Sequence, residues 1–169
     1  MKSKIVIIGM PGSGKTTIGK LLSKQLNLNF YDMDEYIQET RYKTIMELFE
    51  NGEDYFRDIE TQACRELADK QNILISTGGG VVKRRENIDI LKEDSLIIFL
   101  DRPVEKILED VDVSKRPLLK DGKEKILNLY KERYELYKES ADKIVLNDST
   151  MNDVIERFKE AILCKQINN

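Results

Sequence analysis

"KIVIIGMPGSGKTTIGKLL", residues 4–22, is the stretch on which the fold turns. Four consecutive apolar residues, Ile5 to Ile8, run into a loop containing Gly9, Gly12 and Gly14. Lys15 then opens a stretch in which Ile18, Leu21, Leu22 and Leu26 fall close to one helical face. The pattern predicts a buried strand, a glycine-rich turn and an amphipathic helix. The loop "GMPGSGKT", Gly9 to Thr16, fits G-x-x-x-x-G-K-[ST] and stands between strand and helix, where phosphate binding requires it. Glycines let successive backbone N–H groups turn toward one anion. The helix adds free N–H groups and the positive end of its dipole. Gly12, Ser13, Gly14, Lys15, Thr16 and Thr17 are the expected phosphate contacts. Lys15 can reach the β- and γ-phosphates, and the Thr16 hydroxyl can hold Mg²⁺. The expected ligand is ATP or GTP with Mg²⁺. No "NKxD"-type guanine-reading stretch is present, which disfavours a GTPase switch.

Outward from this unit, apolar runs of strand length alternate with amphipathic stretches of helix length. Strands are expected at 29–34, 72–77, 95–101 and 143–147. Helices are expected at 15–26, 44–52, 53–70, 104–109, 123–140 and 151–163. Thr44 and Glu47 form a capping-box pattern at the head of the second of these. Residues 110–122 show no helical period and contain "SKRPLLKDG", so they are expected to form a mobile loop. The alternation predicts the α/β class: a three-layer α/β/α sandwich on a five-stranded parallel sheet, in one domain over 1–169.

Composition narrows the function. The chain has 169 residues, 40% of them hydrophobic and 35% charged, with a net charge of −3. That balance disfavours a general nucleic-acid binder. There is no histidine, so neither a Ser-His-Asp triad nor a His-ligated metal is possible. Two cysteines one hundred residues apart, Cys64 and Cys164, fit a reducing cytoplasm. The apolar runs are too short for a membrane span or a signal segment. A cytoplasmic monomer is expected.

A second cluster of residues suggests an acceptor site. "YDMDEYI" places Asp32 and Asp34 at the end of the second expected strand, where residues i and i+2 share a face. One carboxylate could serve Mg²⁺ and the other a substrate hydroxyl, although a strand-end Asp is as often a helix cap. Arg57 and Arg133, taken singly, could be ordinary solvated helix charges. Arg116, beside Pro117 in the expected loop, is suited to closing over phosphate. "LISTGGGVVK", 74–83, carries three successive glycines, Gly78, Gly79 and Gly80, more than most turns need.

Taken together, "GMPGSGKTT", "DMDEYI", "GEDYFRDIE", "ILISTGGGVV", "RPLL" and "ERYELYKESAD" resemble the shikimate kinase family, of the P-loop nucleoside-monophosphate-kinase-like class. The resemblance implies ATP-dependent phosphorylation of the shikimate 3-hydroxyl, with Mg²⁺. It implies that Lys15, Asp34 and Arg116 are catalytic, Asp34 as base and Arg116 travelling with a lid at about 111–122. It implies that Asp34, Arg57, Gly78, Gly79, Gly80 and Arg133 bind shikimate, with an acceptor region at about 33–61. Thr16 and Asp32 would serve the metal. The bare backbone of the glycines would let a small polyhydroxylated ring sit close. One departure stands out: the family often has an adenine-packing arginine seven residues before Arg116, and this chain has Glu109. "LNDSTMN", 146–152, is an alternative source of base contacts. The competing expectations are a kinase for gluconate or a nucleoside monophosphate, and a non-catalytic nucleotide-binding module.

Overall fold

The computed structural model describes residues 4–110 and 120–163. Five strands form one sheet: β1 (Lys4–Ile8), β2 (Asn29–Asp32), β3 (Ile73–Ser76), β4 (Ser95–Asp101) and β5 (Lys143–Leu146). Their order is β2-β3-β1-β4-β5, and every pairing is parallel. A parallel sheet needs crossover connections, and these cover both of its faces. That is why β1 reads as a continuous apolar run. Ile5 and Ile7 join one core cluster with Ile18, Leu22, Val154 and Phe158; Val6 and Ile8 join the other with Phe56, Ile59, Ile88 and Tyr137. The two-residue period of the strand sends alternate side chains to opposite faces.

Among the described residues, the helices are α1 (Lys15–Leu26), α2 (Met33–Arg41), α3 (Ile45–Phe49), α4 (Glu53–Ala68), α5 (Arg85–Lys92), α6 (Val104–Asp110), α7 (Lys120–Ser140) and α8 (Met151–Leu163). A 3₁₀ turn spans Val81–Lys83. Residues of α1 and α8 fill one core cluster, and those of α4, α5 and α7 the other. The result is the expected three-layer α/β/α architecture. The carboxyl ends of β2, β3 and β1 lie side by side, with Asp32 opposite Ser76 and Ser76 opposite Ile7. The phosphate loop, the glycine triplet and Asp32 therefore emerge at one edge, where open α/β sheets bind ligands.

Three expectations need correction. The second strand ends at Asp32, not Asp34, because Asp32 caps α2: its carboxylate accepts from the N–H groups of Asp34 (3.0 Å) and Glu35 (3.3 Å). Asp34 thus sits in the first turn of a helix, and the shared-face strand argument for the pair does not hold. The α2 and α5 helices have no counterpart among the expected elements. The ends of the expected loop at 110–122 are helical instead, because α6 includes Asp110 and α7 already includes Lys120 and Gly122; residues 111–119 lie outside the described residues. The capping box is present as expected, with Thr44 accepting from the Glu47 N–H and Glu47 accepting from the Thr44 N–H.

Candidate active site

The phosphate loop has the backbone its glycines permit. Gly9, Gly12 and Gly14 all have positive φ, at 151°, 79° and 96°. A Cβ at Gly9 would stand 2.7 Å from the Leu100 carbonyl oxygen. Lys15 opens α1 and is buried; its Nζ donates to the carbonyls of Gly9 (2.9 Å) and Met10 (2.8 Å). Burial pulls its ammonium down to about 8, against the opposing pull of Asp34 and then Asp32. The loop is braced from outside: Asn147 Nδ2 donates to the Ser13 carbonyl (2.8 Å), and Arg102 Nη1 to the Gly12 carbonyl (3.0 Å).

Next to Lys15, the Thr16 hydroxyl donates to Asp32 Oδ2 at 2.6 Å. The Asp32 carboxylate thus serves two elements at once, capping α2 through one oxygen and meeting α1 through the other. Asp34 faces the glycine triplet: a Cβ at Gly78 would lie 2.9 Å from Asp34 Oδ1. Burial raises the Asp34 pKa, the Asp32 charge adds to the rise, and Lys15 and Arg57 oppose it. The two carboxylates do converge on Lys15, but through a helix cap and a first helical turn rather than alternate strand positions.

Beyond Asp34 opens a cavity of about 430 Å³. Its polar wall includes Asp34, Arg57, Glu60 and Arg133, its apolar wall Ile45, Phe49, Phe56 and Leu129, and the three glycines lie between. Arg57 is no solvated surface charge: its residue is 7% exposed, as is that of Arg133. Arg57 Nη1 donates to Glu60 Oε2 at 2.8 Å, and its Nε and Nη2 donate to Glu53 Oε1 at 3.3 and 3.2 Å. These partners lie one helical turn before and after it on α4, the spacing at which helical side chains meet. The guanidinium also packs on the rings of Phe56 and Phe49 (5.3 and 5.9 Å to the centroids), which are themselves stacked at 4.3 Å. Two buried guanidinium groups beside an apolar wall suit a small ring that carries an anionic substituent.

The glycines are crowded by protein as well as open to the cavity. A Cβ at Gly79 would meet Pro11 Cδ at 2.7 Å, and one at Gly80 would meet Arg57 Cζ at 2.6 Å. The triplet is therefore needed first so that Asp34, Pro11 and Arg57 can close around the turn. This adds a packing demand to the expectation that bare backbone lets a ring sit close.

Lys15, Thr16, Asp32, Asp34, Arg57, Gly78, Gly79, Gly80 and Arg133 all come together around this edge of the sheet. Arg116 and most of the expected lid lie outside the described residues. Several site residues had no signal of their own in the sequence. Glu60 and Glu53, which hold Arg57, look like ordinary helix acids. Lys83 pairs with Glu53 at 2.6 Å and with Glu132 at 3.5 Å, and all three line the cavity. Tyr137 reads as one more apolar position on α7. Helical spacing from Arg57 would have found Glu53 and Glu60, but nothing local marks Lys83.

A family model described as shikimate kinase matches residues 11–163. A shikimate kinase of Clostridium beijerinckii is 63% identical over 163 residues, 96% of this chain and 96% of that one. A solved structure of a shikimate kinase from Acinetobacter baumannii in complex with shikimate superposes with a TM-score of 0.86 at 32% identity, covering 96% of this chain and 93% of that one. A gluconokinase from Sinorhizobium meliloti superposes with a TM-score of 0.59 at 14% identity, covering 98% and 95%, a likeness of fold alone.

Proposed function

This chain belongs to the shikimate kinase family, and from that premise we propose that it transfers the γ-phosphoryl group of ATP to the 3-hydroxyl of shikimate, giving shikimate 3-phosphate and ADP. The observation that carries the reading is Asp34. It stands between the buried lysine of the phosphate loop, whose charge acts on it, and a cavity walled by Arg57 and Arg133. A hydroxyl held by Asp34 would face the phosphates held by Lys15.

The roles follow from chemistry at each position. Arg57 and Arg133 bind the substrate carboxylate, for which planar guanidinium groups are suited. Asp34 accepts a hydrogen bond from the reacting hydroxyl, orients it and takes its proton. Lys15 offsets charge on the transferring phosphoryl group, and in-line transfer then depends mainly on positioning. Arg116 adds a second positive charge there and closes with a lid at about 111–122, while the acceptor region is about 33–61. Thr16 and Asp32 offer a hydroxyl and a carboxylate 2.6 Å apart beside Lys15. That hard-oxygen pair suits Mg²⁺ held partly through water. When bound, Mg²⁺ would offset negative charge on the β- and γ-phosphates. Among the described residues no helix is long and apolar enough to cross a membrane, and we propose a cytoplasmic monomer.

The test is ADP release by the purified chain with Mg-ATP and, in turn, shikimate, gluconate, AMP or CMP, or no acceptor. Stimulation by shikimate alone supports the proposal. Stimulation by another acceptor would keep the phosphate loop and overturn the acceptor site. ATP binding with no acceptor response would make the chain a nucleotide-binding module.

A further inference from the structure

We propose that Tyr137 is a positioning residue for the acceptor: its hydroxyl ties the Arg133 guanidinium to the Gly79 carbonyl and so sets two groups that face the ligand. The inference rests on the acceptor site proposed above. Tyr137 follows Arg133 by one helical turn on α7, the spacing at which side chains meet. Its ring is wholly buried and stacked on Phe99, with centroids 5.2 Å apart and planes inclined by 25°. Its hydroxyl donates to the Gly79 carbonyl at 2.5 Å, beside the Arg133 guanidinium, whose charge acts on it. An arginine can only donate, and a hydroxyl that donates to Gly79 keeps its oxygen lone pairs for such a donor.

Arg133 needs such a partner. Its Nε is buried with no hydrogen-bond partner among the described residues, and the Glu132 carboxylate stands 3.6 Å away. A long side chain loses considerable rotamer freedom when it is fixed. Fixing Arg133 before the ligand arrives removes that cost from binding. The hydroxyl acts on the backbone as well. In a trans peptide the C=O and the next N–H point in opposite directions, and the described chain has no cis bond. Holding the Gly79 carbonyl to Tyr137 therefore turns the Gly80 N–H away from that hydroxyl. On its other side Gly79 rests against Pro11 of the phosphate loop.

Tyr137→Phe removes the hydroxyl and keeps the ring on Phe99. Loss of a hydrogen bond to a charged group should raise the KM for shikimate about tenfold. The KM for ATP and kcat should stay within about twofold. In an Arg133→Ala background the same change should cost no more than about twofold, because the partner it acts through is already gone. An unchanged shikimate KM, an equal rise in both KM values, or an undiminished tenfold loss in the Arg133→Ala background would each overturn the proposal. An unaltered chain without shikimate-dependent turnover would overturn the acceptor site and this role with it. A second readout needs no variant: by NMR, the Tyr137 hydroxyl proton of the unaltered protein should exchange slowly and give a cross-peak to Arg133. A freely exchanging hydroxyl would overturn the proposal even if the Phe variant failed to fold.

Discussion

The guanidinium of Arg57 lies over the bare Cα of Gly80, so that a Cβ at position 80 would stand 2.6 Å from Arg57 Cζ and would also meet both terminal nitrogens. The guanidinium is buried and anchored on both sides by Glu60 and Glu53, so it cannot swing away as a surface side chain would. Gly80→Ala should therefore displace the guanidinium proposed to bind the substrate carboxylate. Steady-state kinetics should show the KM for shikimate rising by about tenfold or more, with the KM for ATP nearly unchanged. An alanine variant with an unchanged shikimate KM would mean that Arg57 is not the anchor.

Gly79 offers the complementary case. A methyl group there would press on Pro11 at 2.7 to 2.8 Å, and so on the phosphate loop. Gly79→Ala should raise the KM for ATP together with that for shikimate. Two neighbouring glycines would then be distinguished by which substrate each variant loses. A Gly79→Ala variant affected only toward shikimate would show that the turn yields instead of the loop.

These contacts also show where sequence reading reaches and where it stops. β1, the phosphate loop and α1 were legible because strand period, glycine positions and helix period occupy consecutive residues and point to one structure. The capping box of α3 was legible for the same reason. The strand argument for Asp34 does not hold: its place follows from Asp32 capping α2, and an Asp at a strand end looks the same whether it ends a strand or starts a helix. The α5 helix was missed because its eight residues offer Ile88 and Leu91 as their only buried apolar side chains. Glu60, Lys83 and Tyr137 act through residues 3 to 58 positions away. The longest of those separations are fixed by the sheet order and leave no local trace.

The Arg57–Glu60 pair predicts a stability effect. Both side chains are nearly inaccessible, and removing one partner leaves an uncompensated buried charge. Glu60→Ala should destabilise the fold by about 3 kcal/mol, the low end for a broken buried pair because Glu53 still meets Arg57. Glu60→Gln keeps a hydrogen-bonding oxygen and should cost less. Urea denaturation of the three proteins would check the order. A Glu60→Ala variant as stable as the unaltered chain would show that Glu53 alone compensates Arg57.

Asp34 should shape the acid side of the pH profile. Its pKa lies above the ordinary 3.8, raised first by burial and then by the Asp32 charge. A base works only when deprotonated, so kcat/KM for shikimate should fall as pH drops through that raised value. The decline should begin at a higher pH than for an ordinary aspartate. Asp34→Asn should lower kcat by about a hundredfold or more and abolish this limb in the residual activity. An acid limb that persists unchanged in the Asn variant would assign the titration to another group.

Lys15 predicts a pH-dependent exchange of stability against function. Burial holds its ammonium at about 8, below the ordinary 10.5 that the unfolded chain retains. The folded state thus binds this proton more weakly than the unfolded one. Below about 8 both states carry the proton, and the folded state bears the whole cost of burying it. Between about 8 and 10.5 the unfolded chain binds more protons, so stability rises with pH; above that range the cost is gone. At about 1.4 kcal/mol per pKa unit the cost is on the order of 3 kcal/mol. Lys15→Met removes it but leaves the Gly9 and Met10 carbonyls without their donor, a loss of about 1 kcal/mol each. At pH 7 the Met variant should therefore be more stable by on the order of 1 kcal/mol. It should lose that advantage as pH rises through the window, and it should release no ADP in the presence of shikimate. The measurement is the difference in unfolding free energy between the two chains at pH 7 and pH 10. A difference that does not move between those pH values would show that burial imposes no such cost on the lysine.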